Sequence, residues 1–593
     1  METKGRQLQL TRTVTTLRTR PLAWLRLRLR ASDAWFIALA VAVGCGAGVF
    51  AVAQSKIARH VQAALFNLDL NDRLSTAAHL RPASLLWLPA GGLLLGLFGW
   101  LLSRRRTHAM VDVVEANALY GGRLSLRDSA TICAQTLISN GAGASVGLEA
   151  AYAQAGGWFG SAIGRWVRLR RHDLRTLVGA GAGAAIAAAF GAPLTGAFYA
   201  FEIVIGTYAP SSLAPVAAAC LASVLVARLL GAAPYSIDIA ATAIPDATTY
   251  LLYGMLGAIA ALVGIVVMLA VTRTEQAIRA WKAPNWLKPA VGGALLIPLA
   301  TISPQVLSSG HGALHLDITA GASLELIALV FVLKASASVV SLGFGFRGGL
   351  FFASLFLGSL LGQICAQLLT LANIGLSLHP ENAALVGMAA LAASIVGGPL
   401  TMCFLVLETT RDFGVTAAAL AAALVASTVV RERFGYSFST WRLHLRGEMI
   451  RSARDVGWTR TLTAERMMRR DTPTLAAATS LAEFRQRFPL GSTTRVILTD
   501  KTGKYAGIVQ TADAYADGRD TAPVSSIAGA ADVSLSGDMN IEDVMRAFDE
   551  TEADELVVVD AHGRVMGLLA EAYAARRYAR ELEKSQRDLF GET

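Results

Sequence analysis

Uninterrupted apolar runs of about the length needed to cross a bilayer recur through the first three quarters of the chain. They are Trp35–Ala53, Leu85–Leu102, Leu177–Ile205, Leu213–Leu230, Tyr250–Val271, Leu324–Val340, Phe351–Leu371, Ala383–Leu407 and Val415–Val430. Several are crowded with Gly and Ala, the small residues that let membrane helices approach one another closely. Near Leu443 the pattern changes. Beyond about Arg451 short β-like runs, Arg495–Leu498 "RVIL", Ala506–Val509 "AGIV" and Leu556–Asp560 "LVVVD", alternate with helical periodicity at Ile541–Phe548 and Ala570–Glu583. The pattern predicts a polytopic α-helical membrane domain to about residue 445, then a soluble α+β tail.

Composition agrees. Over 593 residues, 54% are hydrophobic and 16% charged, with mean hydropathy +0.47, which argues against a soluble enzyme. The net charge of +10 does not point to nucleic acid, because of where the cations lie. Lys4, Arg6, Arg12, Arg18, Arg20, Arg26, Arg28 and Arg30 precede the first span, Arg104–Arg106 follow the second, and Arg431, Arg433, Arg442 and Arg446 follow the last. That positive-inside distribution predicts a multi-pass inner (plasma) membrane protein with both termini cytoplasmic. No cleavable signal peptide is predicted, since no small-residue cleavage site closes the first apolar run. Cys45, Cys133, Cys220, Cys365 and Cys403 have neither metal nor disulfide spacing and are expected as small buried hydrophobes.

Both halves repeat themselves. In the tail, "AERMM" and "LAEFRQRFPLGSTTRVILTDKTGKYAGIV" are answered by "VSSIA" and "IEDVMRAFDETEADELVVVDAHGRVMGLL", each copy a helix, a strand, a turn at Gly503 or Gly563, and a second strand. In the membrane domain, Gly191-Ala-Pro193-Leu-Thr195 and Gly397-Gly-Pro399-Leu-Thr401 are each followed by a glutamate, Glu202 and Glu408. "GLEAAYAQAGG" from Gly147 faces "GLFFASLFLGS" from Gly349, and Thr107-His108-Ala109 faces Gly310-His311-Gly312. Two diverged copies, joined at about residues 240–290, are the economical explanation, and such repeats place a substrate site where the copies meet.

The stretch "SNGAGASVGLEAAYAQAGG" (Ser139–Gly157) carries the candidate chemistry. It contains G-x-S-x-G, so one reading is a membrane-embedded serine hydrolase with Ser145 as nucleophile. A nucleophile elbow needs a strand before the serine and a base within reach. Here the preceding pattern is helical, and no histidine falls mid-span. The other reading uses more of the residues. Gly141, Gly143 and Gly147 break one span, and a new helix begins near Leu148 with free N–H groups and the positive end of its dipole, an anion site. Gly343, Gly345, Gly348 and Gly349 do the same before Phe351, with Arg347 beside them. Two half-helices from opposite repeats would then aim at one point. Glu149, a carboxylate in such a place, is a functional candidate by default. As an anion it can occupy the site itself, and protonation would release it and admit an anion. The plainer alternative is a glutamate that caps its own helix.

These motifs, in this order, resemble the CLC family of chloride channels and proton-coupled chloride antiporters, from about Ser32 to Arg446. The family's "G-[KR]-E-G-P" reads Gly147-Leu148-Glu149-Ala150-Ala151, its "G-x-F-x-P" reads Gly349-Leu350-Phe351-Phe352-Ala353, and its late tyrosine falls at Tyr436 in "RFGYSFSTWRL". "GMAALAASIVGGPLTMCFLVLETT" (Gly387–Thr410) also tracks the family. The resemblance implies a CLC-like inverted repeat with broken, tilted helices, a homodimer with one pathway per subunit, and transport of chloride or another small anion. It makes Glu149 the gating and proton residue. It assigns anion contacts to His108, Gly147, Leu148, Glu149, Leu350, Phe351 and Tyr436. His108 stands where a serine hydroxyl often contacts the ion, and a protonated imidazole there would favour anions. The prolines after Glu149 and Phe351 are absent. The coupled antiporters' internal proton glutamate is replaced by Ile203, which favours uncoupled conduction over the antiporter alternative. Glu202 and Glu408 are expected as helix-end or ion-paired carboxylates.

The tail resembles a tandem pair of CBS domains. The implied organisation is a basic tail at 1–31, a membrane domain at 32–446 with repeats at about 80–235 and 285–440, CBS units at 460–520 and 521–580, and a terminal tail at 581–593. The family's ribose-binding Asp falls at Asp513, while Tyr573 takes the matching place in the second unit. At most one adenine-nucleotide pocket is therefore expected, and a structural dimerisation role is the alternative. A third class of function is a nucleotide-responsive sensor with a vestigial pore. No metal or required cofactor is expected.

Overall fold

The computed structural model describes residues 32–578 except 70–71, 78, 105–109, 234, 238–244, 315–321, 374, 446–461, 517, 519, 530–532 and 552. The basic N-terminal tail, His108 and the terminal tail 581–593 therefore lie outside the described residues. The chain forms two compact units, one up to Asp455 and one from Val456.

The first unit is helical. Its elements run α1 Asp33–Phe66, α2 Trp87–Ser103, α3 Val113–Leu119, α4 Leu126–Gly141, α5 Glu149–Trp166, α6 Arg171–Phe190, α7 Pro193–Tyr199, α8 Pro210–Leu229, α9 Ala247–Ala280, α10 Lys288–Ile302, α11 Leu324–Gly343, α12 Phe351–Ala372, α13 Pro380–Val396, α14 Pro399–Thr410, α15 Phe413–Arg433 and α16 Phe438–His444. Among the described residues eight helices are long and apolar enough to span a membrane. Two expected spans are each broken in two. Leu177–Ile205 divides between α6 and α7, and Ala383–Leu407 between α13 and α14. The cause is local: Gly191 and Gly397 end their helices at positive φ, and Pro193 and Pro399 start the next ones. A wider helical turn, Ala200–Ile205, extends α7.

Small residues set the packing. Gly156 of α5 lies directly on the Gly181 backbone of α6, and Gly358 of α12 on Gly387 of α13. A Cβ at any of these would overlap a carbonyl, so the close helix crossings depend on glycine. The two pairs occupy corresponding places in the two repeats, 202 and 206 residues apart.

The second unit contains two copies of one motif. A three-stranded sheet β1 Thr474–Ala476, β2 Arg495–Thr499, β3 Tyr505–Gln510 is matched by β4 Leu535–Ser536, β5 Glu555–Val559, β6 Val565–Ala570. In each, the first pair is parallel and the second antiparallel, with a bulge at the same place. The turns match as well. Asp500 accepts from the N–H groups of Thr502 and Lys504, and Asp560 from those of His562 and Arg564. These hydrogen bonds hold both exposed carboxyls below the usual range, led by the Thr502 hydroxyl for Asp500 and the Arg564 N–H for Asp560. Ile497, Ile508, Val557, Val559 and Leu568 form one buried cluster drawn from both sheets. The helix–strand–turn–strand copies expected from the sequence are thus present, and Asp513 lies exposed in the first turn of the helix Thr511–Ala516.

Candidate anion site

The two glycine breaks face each other. Gly147 N–H donates to Gly349 O at 3.0 Å, and Gly349 N–H to Gly147 O at 3.3 Å. One turn away the exchange repeats through side chains. Ser145 N–H donates to Ser341 Oγ (3.0 Å), and Arg347 N–H to Ser139 Oγ (2.9 Å). In each case residue i meets j while its counterpart, 202 positions on, returns the contact. That reciprocity marks a two-fold relation between repeats. It also disposes of the hydrolase reading: Ser145 is fully buried, and its Oγ pairs with Ser338 Oγ at 3.1 Å rather than with a histidine.

Glu202 and Glu408 obey the same symmetry. Glu408 accepts from Leu194 N–H, Thr195 N–H and Thr195 Oγ1–H, each at 2.8 Å. Glu202 accepts from Leu400 N–H (3.1 Å), Thr401 N–H (2.8 Å) and Thr401 Oγ1–H (2.6 Å). Each carboxylate thus caps the helix of the other repeat, where orphan N–H groups and the helix dipole favour negative charge. Of the two expected roles, helix-end support is what is found. Phe198 and Phe404, also 206 residues apart, stack beside the caps with ring centroids at 4.3 Å.

Glu149 opens α5 with Leu148 as its N-cap, and Phe351 opens α12 with Leu350 as its N-cap. The Glu149 side chain is 3% exposed and lies against Gly147 and Gly349. Neither carboxylate oxygen finds a hydrogen-bond partner of acceptable geometry among the described residues. A buried carboxylate left this way is costly, unlike the fully satisfied Glu202 and Glu408. The plain capping reading therefore does not account for Glu149.

Glu149 lines a cavity of about 150 Å³ with Gly349, Leu350, Phe351, Tyr199, Ile203, Asp112, Arg347 and Arg442. Of the expected site residues the cavity gathers Glu149, Leu350 and Phe351, with Gly147 and Leu148 just behind. Tyr436 is elsewhere, in a second cavity with Glu202 and Arg431. Its hydroxyl meets His444 Nδ1 at 3.3 Å, and its ring stacks on His444. Ile203, Val114, Val396 and Ser439 line both cavities. Ile203 therefore sits as an apolar partition where the two adjoin.

Pattern reading missed Lys334, which sits inside the apolar run Leu324–Val340. It is fully buried, and its Nζ donates to Val306 O (3.1 Å) and Ser308 O (2.9 Å). Ser308 is itself held at φ +53 by its N–H to Gly143 O and by Gln62 and Asn140 side chains donating to its Oγ. This network pins the break before α5. A lone lysine in an otherwise apolar span was the available signal.

Gly147 offers a direct check of this packing. Its φ is ordinary, so alanine there does not strain the backbone, but the new Cβ would overlap the Glu149 carboxylate. Gly147→Ala is expected to fold normally and to displace that carboxylate, giving anion flux with less pH dependence than wild type. A wild-type pH profile in liposome efflux assays would contradict the placement.

Two inward-facing half-helix starts, paired across a two-fold relation around an ionisable group, define an inverted-repeat membrane transport protein. The comparisons agree. The family model for voltage gated chloride channels matches residues 103–431, more than half of the chain. A protein of Ralstonia nicotianae, named for its likeness to the ClcB chloride channel, is 31% identical over 394 residues, which is 64% of this chain and 90% of the relative. The fold is shared with a slow cyanobacterial Cl⁻/H⁺ antiporter (22% identity, TM-score 0.60, 69% of this chain and 97% of that one). It is shared also with a eukaryotic CLC transporter (17% identity, TM-score 0.57, 93% and 98%). The chain belongs to the voltage-gated chloride channel, or CLC, family, whose members are ion channels and transporters rather than enzymes.

Proposed function

We propose that this protein carries chloride, or another small inorganic anion, across the bacterial inner membrane as a homodimer with one pathway per subunit and cytoplasmic termini. One observation carries the reading: a buried, unpartnered Glu149 carboxylate sits at the helix start that faces the second repeat's helix start across the Gly147–Gly349 backbone pair. A carboxylate so placed stands in for the transported anion and leaves when protonated. Ile203 supports uncoupled conduction, because an apolar side chain stands where the coupled antiporters carry a glutamate, at a place that lines both cavities. Protons then act as the gate's ligand. Adenine-nucleotide binding at Asp513 is a regulatory extension of this reading, supported by the paired units of the tail.

Chloride efflux from proteoliposomes with simultaneous proton recording tests it. Chloride should leave without stoichiometric proton entry. Protons driven uphill by the chloride gradient would replace the channel with the antiporter, and no anion flux at any pH would end the transport reading altogether.

A further inference from the structure

We propose that the turn before α4 and the turn between α5 and α6 form one binding surface for the headgroup of an anionic phospholipid, at the membrane face that the positive-inside rule makes cytoplasmic. The inference needs only the membrane setting of the fold and is independent of what passes through the protein.

The two turns are joined by direct contacts. Leu124 N–H donates to Ser161 Oγ at 2.9 Å, and Arg165 Nε–H donates to Ser161 O at 3.2 Å. Gly121 turns at positive φ, and the Arg171 side chain lies across it, so that a Cβ there would overlap Arg171 Nε. Arg123, Arg168, Arg170 and Arg171 are exposed on these turns. Among the described residues none of their guanidinium groups has a hydrogen bond or an ion pair. They outnumber the acids close by in sequence, Asp128 and Asp173, and Asp173 lies 3.7 Å from His172 Nδ1.

Local structure does not explain the arginines. Arg170 is the N-cap of α6 and Arg171 its first residue, where the helix dipole disfavours a cation. Arg168 follows the end of α5 at φ +56, a conformation that Gly or Asn adopts at lower cost. Topology alone asks for cations near helix ends, not for their assembly from two segments distant in sequence. A phosphodiester supplies what is missing: a negative charge, and oxygens that match the guanidinium fork. Tyr120 and Trp166 stand on the same two turns at 50% and 62% exposure, and these are the residue types that settle at headgroup depth. A free phosphate would use the arginines and leave both rings in water, so a lipid is the occupant this surface fits.

The test uses the purified full chain in detergent micelles doped with phosphatidylglycerol or phosphatidylcholine, with thermal unfolding followed by tryptophan fluorescence. Phosphatidylglycerol should raise the melting point in proportion to the logarithm of its concentration, and phosphatidylcholine should not. The combined variant Arg123→Gln, Arg170→Gln, Arg171→Gln should need about a hundredfold more phosphatidylglycerol for the same rise. Lysine at those three positions keeps the charge and should recover most of the response. A folded glutamine variant with the wild-type response overturns the proposal, as does a wild type that inorganic phosphate stabilises as well as the lipid does. Where the glutamine variant does not fold, photolabelling of the wild type with a diazirine-bearing phosphatidylglycerol decides. Label on the peptides that hold Tyr120 or Trp166, displaced by unlabelled phosphatidylglycerol, supports the surface, and label confined to other peptides refutes it.

Discussion

Glu149→Gln should abolish the pH dependence of anion efflux while leaving the protein folded. In the wild type, flux should rise as pH falls, because the protonated form of Glu149 no longer stands in the anion's place. On the alkaline limb, the protonated fraction of one carboxyl changes roughly tenfold per pH unit, so flux should follow with that slope. The amide of glutamine is neutral at every pH and nearly the same shape. The variant should therefore run at the wild type's acid rate throughout. Stability should not suffer, since neither carboxylate oxygen has a hydrogen bond to lose. The measurement is chloride efflux from liposomes across pH 4–8 for both proteins. A variant that keeps the wild-type pH slope would move the gate to another group, with Asp112 next to consider because it lines the same cavity.

Much of this site was readable from residues because glycine and charge are scarce signals against an apolar background. Gly143 and Gly345 adopt φ of +92° and +100° where the pattern placed the breaks, and Glu149 stood out as a carboxylate with no reason to be there unless it worked. The two-copy tail was equally legible, since strand, turn and strand leave a local record. What stayed hidden depended on distance in sequence. That Glu202 and Glu408 cap each other's repeat requires partners 198 to 214 residues away, and no periodicity reports it. Lys334 was passed over because one cation hardly alters the mean of an apolar run, although its cost in a buried place is large. Tyr436 was assigned by motif position. Its ring lies tilted against Trp441 and stacks on His444, contacts that the motif position alone does not report.

The reciprocal caps lead to the second large effect. Glu408→Ala would strip three donors at once: Leu194 N–H, Thr195 N–H and the Thr195 hydroxyl. In lipid no water replaces a lost acceptor at membrane depth. A charged acceptor and a helix cap together are worth roughly 3 kcal/mol. Glu202→Ala should cost a similar amount, because it strips the equivalent donors of Leu400 and Thr401. Glutamine at either position keeps one acceptor oxygen and should lose about half as much. Thermal unfolding followed by tryptophan fluorescence in detergent would show both alanine variants melting several degrees lower, with glutamine between. If either carboxylate instead carried transported protons, alanine would change the chloride-to-proton ratio while leaving the melting point in place. The cap assignment thus fails on a stable variant with altered coupling. It stands on an unstable one whose residual efflux keeps the wild-type pH profile, because Glu149 and the breaks around it are held by different residues.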